Sequence, residues 1–331
     1  MKSKLITIFL IIFIFILPIF SGCSSNNLET IKLMEVTHSI FYAPQYVALT
    51  QGFFEDEGLD VDLIDGKGAD KVMTALLSDE ADIGFMGPEA SVYVYNEGRE
   101  NFAINFAQLT QKDGSFLVGR NPDEAFTFDK LKGKTIIGGR KGGMPEMTLE
   151  YVLKSNGLTI GEDVEVRTDV QFAAMAGSFL GGEGDYVALF EPVATELEME
   201  KRGSIVASIG EEGGYIPYTC YSATKDYIDK NPEIIQKFTN AIYSGMVWVN
   251  EHSSEEIAEA IEPQFPDSDK ESLITIVDRY KDQDTWKPDL ILTEEGLNHM
   301  MEIMELAGEL DERAPYDKIV NTEFAEKTMK K

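Results

Sequence analysis

Asp82-Ile-Gly-Phe-Met-Gly-Pro88-Glu89 and Asp185-Tyr-Val-Ala-Leu-Phe-Glu191-Pro192 share one plan: an acidic residue, a short apolar run, then a proline that opens a helix. Their spacing differs by one residue, so they are echoes rather than a strict repeat. Each sits late in a series of alternating strands and helices. Outward from the first lie strands at Ile31–Val36, Leu59–Ile64 and Phe102–Leu109, with helices at 44–52, 69–77 and 88–96. Around the second lie strands at Thr135–Ile137, Val164–Val170 and Ile205–Ile209, with helices at 145–155, 172–180 and 193–201. Alternation of this kind predicts open, mostly parallel α/β sheets, and two rounds of it predict two α/β lobes. The last third reads as helical: Ile235, Phe238, Ile242 and Met246 recur at three- and four-residue steps, as do Leu297, Met300 or Met301, and Met304. The methionines read as core filler.

The first residues form a different pattern. Lys2 and Lys4 precede an apolar run from Leu5 to Phe20, and Ser21-Gly22 stand directly before Cys23. This is the layout of a secretory signal. The cysteine after a small pair matches a bacterial lipoprotein box, with Phe20 where leucine or valine is more usual. The expectation is cleavage before an acylated Cys23, followed by a polar tether and an extracytoplasmic body; the alternative is an uncleaved anchor helix. Each buried methylene contributes roughly 0.8 kcal/mol, so several acyl chains hold a protein at a membrane. The expected division is a signal peptide over 1–22, a tether over 23–30, one lobe from 31–112 and 222–331, and a second from 113–221.

Removing the 22-residue leader from 331 leaves 309 residues, enough for two cores. Loss of Lys2 and Lys4 moves the formal charge from −29 to −31. So acidic a chain repels phosphate backbones and anionic headgroups, which argues against nucleic acid and against broad membrane-surface binding. There are two cysteines, so with Cys23 lipidated Cys220 is alone. No CxxC or HExxH occurs and His38, His252 and His299 are far apart, so no metal or cofactor is expected. No GxSxG occurs, and pairs of acids among 58 carboxylates discriminate nothing about glycoside cleavage.

Ligands in open α/β sheets sit beyond the carboxyl ends of the strands, where helix N-termini present free amides. That rule nominates His38, Ser39, Phe41 and Tyr42; Gly87, Pro88 and Glu89; Gln108 and Thr110; Gly142, Gly143, Met144 and Glu146; Phe190 and Glu191; and Tyr218 and Tyr221 on the return path. The run Gly138-Gly-Arg-Lys-Gly-Gly143 matches neither GxGxxG nor GxxxxGK[ST], which disfavours a nucleotide; it cradles an anion or is a plain turn. Glu89, Glu146 and Glu191 are each favoured in a first helical turn by the dipole alone. Together they suit ligand amino groups or ring N–H donors better than a bare anion. Phe41, Tyr42, Phe190, Tyr218 and Tyr221 could sandwich a flat ring or serve as ordinary packing.

His38-Ser-Ile-Phe-Tyr-Ala-Pro-Gln-Tyr-Val-Ala48 and Gln51-Gly-Phe-Phe-Glu-Asp-Glu-Gly-Leu-Asp-Val61, with Ala81–Ala90, Gly133–Gly138 and Phe190-Glu-Pro192, resemble the substrate-binding proteins of ABC importers for nitrate, sulfonates, taurine and thiamine-pyrimidine precursors. The likeness runs from about residue 32 to at least 250. It implies a type II periplasmic-binding fold: two lobes joined by crossing segments, which close over a small molecule and deliver it to a permease driven by a cytoplasmic ATPase. Segments near 108–116 and 216–223 are the expected crossings. The acid-and-aromatic strand ends lean toward a nitrogenous ring such as a thiamine-pyrimidine precursor; sulfonate, taurine or nitrate is the alternative. Some relatives are cytosolic pyrimidine-synthesising enzymes with a cysteine-rich iron motif, which this sequence lacks. The expectation is therefore a monomeric, non-catalytic receptor, with a lipoprotein enzyme or a ligand sensor as readings of another class.

Overall fold

The computed structural model describes residues 28–330, and Cys23 with its leader lies outside them. Ten strands form two five-stranded sheets. The first holds β1 (Glu29–Glu35), β2 (Leu59–Asp65), β3 (Ile83–Met86), β4 (Ala103–Thr110) and β10 (Thr219–Thr224). The second holds β5 (Ser115–Gly119), β6 (Lys134–Ile137), β7 (Val164–Arg167), β8 (Tyr186–Phe190) and β9 (Ser204–Ser208).

The strand orders are β2-β1-β3-β10-β4 and β7-β6-β8-β5-β9. Both orders follow one rule: second, first, third, the strand arriving from the other half, fourth. The sheets are parallel except at that arriving strand. β10 is antiparallel to β3 and β4, and β5 to β8 and β9. The chain crosses once through residues 111–114 and returns through 214–218. At the crossings Ile216 N–H donates to the Gln111 carbonyl (2.8 Å) and Tyr218 N–H to that of Thr110 (3.2 Å). This is the two-lobed α/β architecture expected of a periplasmic-binding-type fold. Among the described residues no helix is long and apolar enough to cross a membrane.

Local structure follows the sequence closely. β3 is buried at every position, as an interior parallel strand requires. Pro44 and Pro145 stand in the first turns of their helices, where a missing N–H costs nothing. The strand expected over 164–170 ends at Arg167, and the helix expected from Phe172 begins with a 3-10 turn before Met175–Leu180. The stripe of Ile235, Phe238, Ile242 and Met246 is buried on one face of the Pro232–Glu251 helix.

The C-terminal part does more than cover the first sheet. Thr285 to Leu290 run beside β4 and the first crossing: Gln111 N–H donates to the Thr285 carbonyl, Lys287 N–H to Leu109, and Gln108 N–H to Leu290. The preceding helix, Lys270–Asp282, sends Arg279 to Glu191 and Glu198 beside the second sheet. Within 222–331, this segment is in contact with both sheets.

Gly245 shows how tightly the helices meet. A Cβ there would stand 2.3 Å from the Pro44 carbonyl oxygen on the Ala43–Thr50 helix. Gly245→Val should cost roughly 1–3 kcal/mol by forcing these helices apart. The check is urea denaturation: a lower midpoint at unchanged slope is expected, and a wild-type midpoint would contradict the packing.

Candidate functional site: the cleft between the sheets

Between the carboxyl ends of the two sheets lies a cleft of about 650 Å³, counting its open mouth. The first sheet contributes Thr37 after β1, Gly68 and Ala69 after β2, Gly87 and Glu89 after β3, and Thr219 on β10, with Tyr42 behind. The second contributes Gly139, Arg140, Gly143, Met144 and Pro145 after β6, Phe172 after β7, and Phe190 at the end of β8. Tyr218 spans them from the return crossing. A neighbouring groove shares Thr37, Phe172 and Phe190 and is lined in addition by His38 and Lys67.

Glu89 is the chemically exceptional residue. It is the first residue of the Glu89–Asn96 helix, is 3% exposed, and its carboxylate folds back over Gly87. A Cβ on Gly87 would fall 1.9 Å from Glu89 Oε2, so only glycine admits this rotamer. Oε2 has no hydrogen-bond partner among the described residues. Burial pushes the carboxyl up to about 7, against the opposing pull of its own amide, the Met144 amide across the cleft, and the Arg140 guanidinium.

The other nominated residues divide sharply. Tyr42, Gly87, Glu89, Gly143, Met144, Phe190 and Tyr218 line the cleft. His38 lines only the neighbouring groove, with both ring nitrogens engaged: Nδ1 with Glu35 Oε1 at 2.7 Å and Nε2 donating to the Gln264 carbonyl at 2.8 Å. Burial opposes its protonation, but the bonds to Glu35 and Gln264 prevail and raise its pKa. Ser39 Oγ donates to the Glu191 carbonyl (2.5 Å) and so ties β1 to the second sheet. Phe41 is fully buried behind the cleft among Tyr42, Phe190, Tyr218 and Tyr280.

Five nominations prove to support the cleft from within. Tyr221 stacks on Phe85 at 4.1 Å inside the first layer, its hydroxyl donating to Gln45. Gln108 donates to its own strand at Thr110, and Thr110 Oγ1 donates to Thr219. Pro88 caps the helix that carries Glu89. Glu146 accepts the Gly142 amide at 3.1 Å and steadies the glycine loop; burial, then the nearby Glu150 and Glu309 charges, push it up to about 8.

Glu191 requires a correction. Its carboxylate accepts from the Thr195 amide (2.8 Å), the Thr195 hydroxyl (2.8 Å) and Arg279 (3.0 Å), which leaves it committed to the fold rather than to a ligand amine. Of the basic pair in the glycine loop, Arg140 lines the cleft and stands 4.0 Å from Asp70, whereas Lys141 turns to Glu309 at 3.0 Å. Gly142 receives the Tyr93 hydroxyl from the opposite side.

The residues not anticipated from sequence are chiefly Thr37, Gly68, Ala69, Phe172 and Thr219. The strand-end rule would have found two of these segments had it been applied to β2 and β7 as well as to their neighbours.

The buried carboxyl makes a testable link to stability. Its folded pKa, about 7, lies above the ordinary 4.5, so the stability it contributes is complete below 4.5 and is lost as pH rises through 7. Glu89→Gln removes this titration. The variant should gain on wild type by on the order of 3 kcal/mol between pH 4.5 and 8. Denaturant melts of both proteins at the two pH values check this, and a gap independent of pH would refute it.

Comparison with known proteins agrees with this arrangement. The family model described as "NMT1/THI5 like" matches residues 40–256. A Bacillus subtilis (strain 168) protein named "Putative binding protein YtlA" is 46% identical over 315 residues, covering 95% of this chain and 94% of that one. The 4-amino-5-hydroxymethyl-2-methylpyrimidine phosphate synthase of Aspergillus parasiticus is 27% identical over 213 residues, 61% of each chain. In fold, the chain is similar to the alkanesulfonate-binding protein SsuA from Xanthomonas axonopodis pv. citri bound to MOPS, with TM-score 0.71, 15% identity, and coverage of 88% of this chain and 98% of that one.

Proposed function

The chain belongs to the NMT1/THI5-like family, and from that premise we propose that it is the lipid-anchored, extracytoplasmic substrate-binding component of an ABC importer, selective for a nitrogenous ring with an amino or ring N–H donor. The observation that carries the ligand class is Glu89. A nearly buried carboxylate oxygen without a partner, set among Tyr42, Phe172, Phe190 and Tyr218, is an acceptor waiting for a donor on a flat apolar body. A thiamine-pyrimidine precursor has that form, and one relative is named for making such a pyrimidine phosphate.

In this reading the protein breaks no bonds. The halves 31–112 with 222–331, and 113–221, act as lobes that bend at the paired crossings and shut on the ligand, which then passes to a permease. The protein works as a monomer held by acylated Cys23. Likeness in fold to a sulfonate binder, and the presence of Arg140 in the cleft, favour a small oxyanion as the second reading.

Isothermal titration with 4-amino-5-hydroxymethyl-2-methylpyrimidine and with taurine separates the two. The pyrimidine should bind, and Glu89→Gln should weaken it about tenfold or more, the worth of one hydrogen bond to a charged group. Tight taurine binding by wild type, unaffected or improved by Glu89→Gln, would replace the ring reading with the anion one. Cys23→Ala should shift the protein from the membrane to the soluble fraction with its affinity unchanged; retention in the membrane would exclude lipid anchoring through that residue.

A further inference from the structure

Two helices meet the cleft head-on, one from each side. The Glu89–Asn96 helix starts at the first sheet and the twelve-residue Met144–Ser155 helix at the second. Each turns its first amide and a positive dipole end to the space between, while the Ala90 amide already donates to the Gly87 carbonyl at 3.3 Å. Such a convergence is what a bound oxyanion requires, and Arg140 adds a guanidinium on the same side as Met144. Yet the position is taken. The amides of Glu89, Ala90 and Met144, and the charge of Arg140, all act on the carboxylate of Glu89 itself, which lies back over Gly87 with Oε2 unpartnered.

We propose that Glu89 is a built-in anion: its carboxylate occupies an oxyanion site assembled from both halves of the molecule, and its presence is what turns the cleft from anions toward hydrogen-bond donors. The inference rests on the cleft being the ligand site, but not on the identity of the ring proposed for it. The plug excludes an added anion in two ways, by filling the volume between the helix ends and by like-charge repulsion at close range. Gly87 is part of the device, since any side chain there would drive the carboxylate out.

The two ways are separable. Glu89→Ala removes volume and charge, and Glu89→Gln removes charge alone. The probe is methanesulfonate, followed by titration calorimetry at pH 7.5, with methylammonium as the control for nonspecific ionic effects. Glu89→Ala should bind methanesulfonate at least about tenfold more tightly than wild type, the equivalent of one hydrogen bond to a charged group. Glu89→Gln should gain less, because the amide still fills the space, and Glu89→Ala with Arg140→Ala should lose the gain. Glu89→Ser serves if the alanine variant fails to fold, with circular dichroism as the check. Wild type binding methanesulfonate as tightly as the variant would overturn the proposal, and so would a folded Glu89→Ala or Glu89→Ser that shows no gain. Wild-type indifference to the aminopyrimidine, together with a gain for methanesulfonate in the variant, would sink the ring reading and leave this inference standing.

Discussion

Two backbone hydrogen bonds, Ile216 to Gln111 and Tyr218 to Thr110, hold the crossings side by side, and the rest of the molecule is arranged around them. They set the phase at which β5 and β10 enter the opposite sheets, and each enters antiparallel between neighbours that point the other way. A one-residue slip in either crossing would turn every buried side chain of that strand to the wrong face. All six residues of β10 and all five of β5 are buried, so the slip has no tolerable alternative. The stretch Thr285–Leu290 pairs with the other edge of the first crossing, and Trp286 donates its indole N–H to the Phe41 carbonyl (2.9 Å). Three chain segments thus run side by side where the two halves join.

Buried carboxylates show how environment, rather than residue type, assigns roles. Glu35, Glu89, Asp113 and Glu191 are all nearly inaccessible. Glu191 has Thr195 and Arg279, and Glu35 has His38, Gln45 and Tyr46, so hydrogen bonds and charge offset part of a desolvation that still raises both carboxyls. Asp113, at the first crossing, has the Ser115 amide at 2.6 Å and no cation; burial pushes it up to about 7. Among the described residues Glu89 Oε2 and Asp113 Oδ2 both lack a partner, and of the two only Glu89 lines the cleft. An unpaired buried acceptor is costly unless something else completes it. That position, more than acidity in general, singles out Glu89 for the proposed role in binding.

The fold was legible because strands and helices here obey local rules: Gly52 and Gly157 end helices, prolines start them, and the apolar runs are short and bounded. The strand-end rule also found Glu89, Met144 and Phe190. What sequence could not do was tell Glu89 from Glu191. Both follow an apolar strand and adjoin a proline, and the difference lies in Arg279, 88 positions downstream of Glu191. Tyr221 and Phe41 were similarly ambiguous, since an aromatic near a strand end faces ligand or core according to register alone. The strap over the crossings left no trace at all, because Thr285–Leu290 has neither strand alternation nor helical periodicity and is held by its backbone.

The contacts that join the two sides at the cleft rim are of a kind that a ligand can outweigh. Arg140 with Asp70 is a solvent-exposed pair at 4.0 Å, and Lys141 reaches the half-buried Glu309 from an exposed position, so water screens both pairs. Tyr93 to Gly142 adds one half-buried hydrogen bond, of about 1 kcal/mol. Near the hinge the links are stronger and buried: Ser39 to Glu191, Tyr280 to Gly114, and the Phe41 aromatic cluster. In the proposed closure, moving the balance from mostly open to mostly shut would take about 5.5 kcal/mol of differential affinity. The rim supplies less than that, and the hinge contacts lie where rotation moves atoms least. On the proposed reading the difference would come from the middle of the cleft, where Glu89 lines one side and Met144 with Phe190 the other, so that a guest touching both would favour the shut form.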